Sequence, residues 1–116
     1  LAPPETVDAA LTPHWAAALA GTRATTARAV PDMLELVPRG VTKWDGVAAV
    51  LRDLGIHTDD LVAVGDGAND AEMLAGAGVG VAMGNAGAAA RAAAGEVVAG
   101  NGDGGVAEAI DRFVLF

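Results

Sequence analysis

At 116 residues, the chain is long enough for one modest domain or for part of a larger one. Its formal net charge of −8 argues against nucleic acids and anionic membrane surfaces as partners, because both would repel it. No apolar run reaches the roughly 18 residues that a membrane span requires, so we expect a cytoplasmic location. The sequence contains no Cys, Ser or Tyr, and among the Asp, Glu, Thr, Lys and His residues that remain we expect a carboxylate to serve in any covalent mechanism.

The first 38 residues differ in character from the rest of the chain. Their pattern predicts a helix that Pro13 interrupts and then two strands, over residues 5–20, 22–29 and 33–37. The run Pro38-Arg39-Gly40 then breaks the pattern and is typical of a linker or a domain boundary. We therefore divide the chain into residues 1–38 and residues 39–116.

The second segment begins with a predicted amphipathic helix over residues 43–54. Its apolar side chains recur at spacings of three and four, so they share one face: Trp44, Val47, Val50, Leu51 and Leu54. Thr42 is placed to cap the N-terminus of this helix together with Asp45, and Gly55 is placed to close its C-terminus.

Short apolar runs and helical segments alternate through the rest of the chain. The predicted strands are residues 61–64, 79–82 and 96–99. The predicted helices are residues 70–77, 86–94 and 106–113, and Asn69 and Asn85 are the candidate N-caps of the first two. This alternation predicts an α/β fold in which helices cover a parallel sheet.

The strand at residues 61–64 runs directly into Gly65-Asp66-Gly67-Ala68-Asn69-Asp70. Ligands of open parallel sheets bind beyond the carboxyl ends of the strands, where Asp66 is expected, and Asp70 is expected to face the same space. Two carboxylates at such a place suit a hard cation such as Mg²⁺. The alternative is a glycine turn before an Asn-capped helix, in which Asp70 merely favours the helix dipole. The combination of strand, turn and acidic residues favours the functional interpretation.

Lys43 is the only lysine of the chain. A cation at the start of a helix opposes the helix dipole, so local electrostatics give this lysine no stabilising role. A compact ammonium group suits a phosphate or a developing negative charge. The alternative is a solvated surface lysine, and the neighbouring acidic motif is what favours a functional role.

Two further patterns fit known motifs less well. The run Gly100-Asn101-Gly102-Asp103-Gly104-Gly105 has the spacing of a dinucleotide-binding loop, but no acidic residue follows about 20 positions later. We interpret it as a glycine-rich turn that could touch a ligand. A calcium-binding loop that starts at Asp66 is excluded because Ala68 and Ala71 occupy positions that require an oxygen ligand and a glycine.

Three runs of the sequence resemble the C-terminal part of the haloacid dehalogenase superfamily: VTKWDGVAAVLRDLGI, VAVGDGANDAEMLAGAGVGVAMGNA and NGDGGVAEAIDRF. Within that superfamily they are most similar to the Cof-like sugar-phosphate phosphatases, which carry an inserted α/β cap. The resemblance implies a Rossmann-like parallel sheet with flanking helices. It also implies that residues 39–116 form the C-terminal half of the core domain and residues 1–38 the tail of the cap.

The same resemblance implies roles for four residues, and it matches Asn85 to a family position near the same loops, although helix capping explains Asn85 equally well. Lys43 matches the lysine that neutralises the aspartate nucleophile and the transferring phosphoryl group. Asp66 matches an acidic ligand of the essential Mg²⁺, and Asp70 matches the second acidic residue that supports the metal directly or through water. Asn69 matches the amide beside the phosphate site.

The motif that supplies the attacking aspartate in this superfamily, D-x-D-x-T, is absent from the sequence. We therefore expect a C-terminal fragment of a Mg²⁺-dependent phosphatase that hydrolyses small phosphomonoesters through an aspartyl-phosphate, with its nucleophile outside this chain. The alternative is a non-catalytic domain that binds Mg²⁺ or phosphate, or serves in assembly. The expected partners are a small phosphorylated metabolite and, at an exposed sheet edge, the missing half of the core or a second copy of the chain.

Overall fold

The computed structural model describes residues 1–115, which fall into two compact units. The first unit is Leu1–Val41 and the second begins at Thr42. The assignment of the first unit to a cap domain stays a prediction. Among the described residues, no helix combines the length and the apolar character that crossing a membrane requires.

The first unit consists of a helical segment and a two-stranded sheet. The helical segment comprises α1 (Pro4–Thr6), a π-helical turn (Val7–Leu11) and α2 (Thr12–Ala18). Pro13 is the second residue of α2, which continues directly from the π-helical turn. The wider π turn directly precedes it, so the predicted interruption is a local change of helix type.

The two strands of the first unit, β1 (Ala24–Ala27) and β2 (Glu35–Pro38), pair in antiparallel fashion. Thr25 lies opposite Val37 in the register. The Arg39 guanidinium follows β2 and donates hydrogen bonds to the carbonyl oxygens of Thr22 (3.2 Å) and Ala24 (2.9 Å). These bonds tie the end of the hairpin back to its beginning.

The second unit is built on a parallel sheet with the strand order β3-β4-β5. The strands are β3 (Val62–Gly65), β4 (Val79–Ala82) and β5 (Glu96–Val97). The helices are α3 (Lys43–Leu54), α4 (Ala71–Gly76), α5 (Ala88–Ala93) and α6 (Gly105–Phe113). The predicted α/β fold with a parallel sheet is confirmed, although β5 is two residues shorter than predicted.

Apolar side chains form the core on both faces of this sheet. On one face, Ala63 of β3 packs with Leu74 of α4 and Ala90 of α5. On the other face, Val81 of β4 packs with Ala109 of α6, and the side chains of Val62 and Val64 join them. Alternate residues of β3 thus point to opposite faces, as the period of a strand requires. Helices α4 and α5 therefore cover one face and α6 covers the other.

Helix α3 begins with the predicted capping box. The Thr42 side chain accepts from the backbone N–H of Asp45, and the Asp45 carboxylate accepts from the backbone N–H of Thr42 (2.7 Å). The predicted apolar face of α3 is only partly buried in the described structure. Leu51 is buried, whereas Val50 and Leu54 are exposed, because α4 covers a narrower stripe of α3 than the sequence presents.

Two other predicted helix caps are wrong. The segment Ala68–Asp70 is a 3-10 turn that precedes α4, so Asn69 lies inside this turn and not at a helix start. Helix α5 begins at Ala88 after Gly87, with no side-chain cap, so Asn85 does not cap it either. In the first case the Asp70 carboxylate accepts from the backbone N–H groups of Asp66 and Gly67, just before the turn. In the second case the Asn85 side chain bonds to the loop after β5.

Candidate active site

The predicted acidic loop lies at the carboxyl end of β3, which ends at Gly65. Asp66 follows immediately and its side chain is exposed, whereas Asp70 is buried with 4% of its surface accessible. A Cβ atom on Gly65 would lie 2.7 Å from the Cβ of Asp70. Glycine at position 65 is therefore what lets the Asp70 side chain fold under the loop.

The Asp70 carboxylate is fully engaged by donors of this chain. Its Oδ2 accepts from the backbone N–H groups of Asp66 and Gly67, both at 3.0 Å. Its Oδ1 accepts from the Nζ of Lys43 at 2.5 Å. A buried carboxylate with three donors satisfies the requirement that buried charge be both paired and hydrogen-bonded.

These contacts set the protonation state of Asp70. Burial acts to raise its pKa, but the hydrogen bond from Lys43 and those from the backbone N–H groups of Gly67 and Asp66 outweigh burial. The pKa of Asp70 therefore lies below its ordinary value. The carboxylate is an anion at neutral pH and holds the ammonium group of Lys43 in the site.

Lys43 is the first residue of α3, and its side chain is half exposed. The sequence offered no local reason for a cation at this position, and the structure supplies a tertiary one in Asp70. The aromatic ring of Trp44 packs against Gly76 of α4, where an added Cβ would come within 2.6 Å of the ring. This close packing fixes the start of α3 next to α4 and so places Lys43 over the loop.

The two asparagines of the site differ in their contacts. Asn69 is exposed, and its Oδ1 lies 2.5 Å from where a Cβ on Gly67 would be, so its amide lies over the loop. Its predicted place beside a phosphate stays a prediction. Asn85, in the loop after β4, lies with its Nδ2 3.5 Å from Oδ2 of Asp66. Its Oδ1 accepts from the backbone N–H of Asn101 at 2.8 Å.

An open cavity of about 600 Å³ lies above these residues. Its walls combine three of the predicted charged residues with apolar side chains and one amide: Lys43, Asp66 and Asp70, then Val64, Met73, Met83, Val106 and Asn101. Asn101 comes from the glycine-rich turn that the sequence marked as able to touch a ligand. Sequence reasoning missed the two methionines, because methionine at helical or strand spacing signals only a core position.

The assignment of Mg²⁺ to Asp66 and Asp70 stays a prediction. The contacts of the two carboxylates show which oxygen atoms are available to a cation. Asp66 presents an exposed carboxylate with one long contact, so it has free lone pairs for a cation. Both oxygens of Asp70 already have donors, which favours indirect support of the metal over direct ligation. In residues 1–115 no group of three or more His, Asp or Glu side chains converges. Mg²⁺ usually keeps several waters and one or two carboxylates, and this arrangement fits such a site.

One protein-family model and several proteins of known sequence match most of the chain. The family model of haloacid dehalogenase-like hydrolases matches residues 6–110. The chain is 42% identical over 111 residues to "Endoribonuclease YBEY, chloroplastic" of Arabidopsis thaliana, covering 96% of the chain and 19% of that protein. It is 38% identical over 85 residues to 5-amino-6-(5-phospho-D-ribitylamino)uracil phosphatase YcsE of Bacillus subtilis, covering 73% of the chain and 34% of that protein.

A solved structure supports the same relationship. The crystal structure of a haloacid dehalogenase-like hydrolase from Bacteroides thetaiotaomicron superposes with a TM-score of 0.79 at 38% sequence identity. The match covers 91% of this chain and 39% of that one. The chain thus spans about two fifths of the length of this structural relative. It spans smaller shares of the Arabidopsis thaliana and Bacillus subtilis relatives.

Proposed function

Since the chain belongs to the haloacid dehalogenase-like hydrolases, we propose that it supplies the lysine and the metal-binding carboxylate of a phosphatase. The substrates proposed are small phosphomonoesters, sugar phosphates or similar compounds. The observation that carries the proposal is the convergence of Lys43, Asp66 and Asp70 on one open cavity at the carboxyl end of β3. The phosphatase name of the Bacillus subtilis relative supports the same reaction class.

In the proposed reaction the phosphoryl group passes to an aspartate and then to water. The sequence has no D-x-D motif, so we place the attacking aspartate in a part of the protein outside these 116 residues. Lys43 directs its ammonium group toward the phosphoryl oxygens, where negative charge gathers in the transition state. Asp70 holds Lys43 in place and fixes the backbone of the acidic loop.

Asp66 is the residue that would hold Mg²⁺ beside the transferring group, with Asp70 in support. When bound, the cation neutralises phosphoryl charge and orients the phosphate oxygens. Asn69 would border the phosphate from the same loop. Met73, Met83 and Val106 form the apolar part of the cavity wall.

The edge of β3 is the proposed contact for the rest of the core. β3 is the end strand of the described sheet, so its outer backbone groups face no strand in residues 1–115. An apolar end strand is a template for pairing with another segment. We propose that the other half of the core covers this edge, or a second copy of the chain where that half is missing. Sedimentation showing a strictly monomeric, folded 116-residue chain would contradict pairing between copies.

A non-catalytic role is the second candidate. Its support is that the proposed binding groups lie together at the cavity, whereas the sequence contains no D-x-D nucleophile motif. In this case the domain binds Mg²⁺ or a phosphorylated ligand without turnover, or acts in assembly.

The name of the Arabidopsis thaliana relative describes an endoribonuclease, and we do not extend that activity to this chain. The match spans 19% of that protein. The chain carries a net charge of −8, and the residues at its cavity include two carboxylates, which oppose an RNA backbone.

One experiment separates the two candidates. Hydrolysis of p-nitrophenyl phosphate is measured with Mg²⁺ for the 116-residue chain and for the complete protein that carries it. Turnover by the complete protein but not by the 116-residue chain, abolished by Asp66→Asn, supports the phosphatase. Absence of turnover in the complete protein would support the binding role, and robust turnover by the 116-residue chain would overturn the proposed location of the nucleophile.

A further inference from the structure

Asn85 is the residue from which a further role can be derived. It follows β4, and its amide reaches the loops that follow both neighbouring strands. Its Oδ1 accepts from the backbone N–H of Asn101 at 2.8 Å, in the loop after β5. Its Nδ2 lies 3.5 Å from Oδ2 of Asp66, in the loop after β3. The sequence had suggested a helix-capping role for Asn85, which the start of α5 at Ala88 excludes.

The orientation of the Asn85 amide follows from its two neighbours. A backbone N–H can only donate, so the Asn101 side of the amide must be the oxygen. A carboxylate can only accept, so the Asp66 side must be the NH₂ group. Reversing the amide would place donor against donor and acceptor against acceptor. The bond to Asn101 therefore fixes an N–H donor in the direction of Asp66.

The backbone that carries Asn85 is held by contacts that do not use its side chain. Arg91 of α5 donates to the carbonyl oxygens of the residues on either side, Ala86 (3.1 Å) and Gly84. The N–H of Gly84 donates to the carbonyl oxygen of Ala99 at 3.1 Å. Asn85 itself is exposed, so truncating its side chain leaves no buried void. The fold of this loop therefore does not depend on the amide alone.

The loop after β3 is also tied by its backbone. The carbonyl oxygen of Asp66 accepts from the N–H of Gly87 at 3.0 Å. The backbone N–H of Asp66 donates to Oδ2 of Asp70 at 3.0 Å. These bonds fix the main chain of Asp66 but leave the torsions of its side chain free. The Asn85 amide is the described group that contacts the carboxylate itself.

We infer that Asn85 is a positioning residue that orients the carboxylate of Asp66 toward the cavity. Its expected effect on cation binding rests on the proposed function, because Asp66 is the proposed cation ligand. The amide lies 3.5 Å from Oδ2 of Asp66, and Oδ1 accepts no hydrogen bond within residues 1–115, so it is available to a cation. Groups that hydrogen-bond to a metal ligand typically change metal affinity by about 10- to 100-fold when they are removed.

The test uses the 116-residue chain with Asn85→Leu, which has a similar size and no hydrogen-bonding groups. The matched control is Asp111→Leu, an exposed polar position on α6 outside the site. The first readout needs no metal: three-bond couplings measured by NMR report the χ1 rotamers of Asp66. We expect one dominant rotamer in the parent chain and in the control, and averaged couplings in Asn85→Leu. Unchanged couplings in Asn85→Leu would overturn the inference.

The second readout is the affinity for Mn²⁺, followed by electron paramagnetic resonance as a probe of the cation site. We expect the dissociation constant to rise about 10-fold in Asn85→Leu and to stay within about 2-fold in Asp111→Leu. If Asn85→Leu shows averaged Asp66 couplings but an unchanged affinity for Mn²⁺, the proposed effect of Asn85 on cation binding is overturned. If the parent chain binds no Mn²⁺ while the couplings behave as expected, the metal site of the proposed function fails and the positioning of Asp66 stands.

Discussion

The Nζ of Lys43 lies 2.5 Å from Oδ1 of Asp70, and this contact joins the start of α3 to the loop after β3. The two residues are 27 positions apart in the sequence. The second oxygen of Asp70 holds the backbone N–H groups of Asp66 and Gly67. One buried carboxylate therefore fixes both the shape of the acidic loop and the position of the lysine, which links the stability of this unit to its proposed chemistry.

Replacing Asp70 by Asn is expected to destabilise the chain. The amide is the same size, but one of its ends carries hydrogens and must face either the loop N–H groups or the Lys43 ammonium. An unsatisfied buried donor costs about 1 to 3 kcal/mol, so the free energy of unfolding should fall by about 2 kcal/mol. Urea denaturation measures this, with Asp111→Asn at an exposed position on α6 as the control. A variant as stable as the parent would show that the Asp70 contacts contribute nothing.

Replacing Lys43 by Met is expected to separate activity from stability. The lysine side chain is half exposed, and Asp70 keeps two backbone donors without it, so the loss of stability should be about 1 kcal/mol. Removing a group that stabilises transition-state charge costs about 10²- to 10³-fold in rate, and we expect that loss in the complete protein.

Lys43→Arg is the matched variant for this prediction, because it keeps the charge and changes its shape. The planar guanidinium is wider than an ammonium, so we expect it to restore stability but little activity. Phosphatase assays and urea denaturation on the same samples measure both quantities. Full activity in Lys43→Arg would show that a positive charge of any shape is sufficient at this position.

Gly65→Ala is expected to displace the Asp70 side chain. The new Cβ would lie 2.7 Å from the Asp70 side chain, so the carboxylate must move away from Lys43 and the loop N–H groups. Overpacking of this kind costs about 1 to 3 kcal/mol. Gly46→Ala on α3 is the control, because a Cβ there has nothing within 4 Å and alanine favours a helix by about 0.5 to 1 kcal/mol. Opposite shifts in melting temperature are expected, and equal shifts would contradict the steric argument.

Glu108 makes the stability of the chain depend on pH. Its carboxylate accepts from the backbone N–H of Ala99 at 2.8 Å and from Arg112 at 3.0 Å, and these bonds lower its pKa below the ordinary value of 4.5. The unfolded chain then binds the proton more tightly than the folded one. The contribution of Glu108 to stability is therefore present above pH 4.5 and is lost as the pH falls from there through the folded pKa.

Glu108→Gln is the variant that tests this dependence. It removes the titrating group, so urea midpoints between about pH 6 and pH 3 should fall less steeply with acidification than in the parent chain. Glu72→Gln, at an exposed position on α4, is the control and should leave the slope unchanged. Identical slopes for the parent chain and Glu108→Gln would contradict the assigned contacts.

The order of elements and the parallel sheet were predictable because each rests on local patterns. Short apolar runs separated by helical segments leave few alternatives to an α/β layer structure. The capping box of Thr42 and Asp45 was predictable for the same reason, since both partners lie within one turn. The positions of Asp66 and Asp70 at the cavity followed from the rule that ligands bind at the carboxyl ends of parallel strands.

Local patterns were therefore sufficient to predict the fold class, the family resemblance and the residues of the acidic loop. Which side chains contact one another depends on how the helices and loops pack. The pairing of Lys43 with Asp70 depends on how α3 packs on α4, and the Trp44 contact with Gly76 that sets this packing spans 32 positions. The capping roles predicted for Asn69 and Asn85 were wrong, because an asparagine before a helix satisfies only the local rule for a cap. In the structure the Asp70 carboxylate binds the N–H groups of the acidic loop, and the Asn85 side chain bonds to the loop after β5.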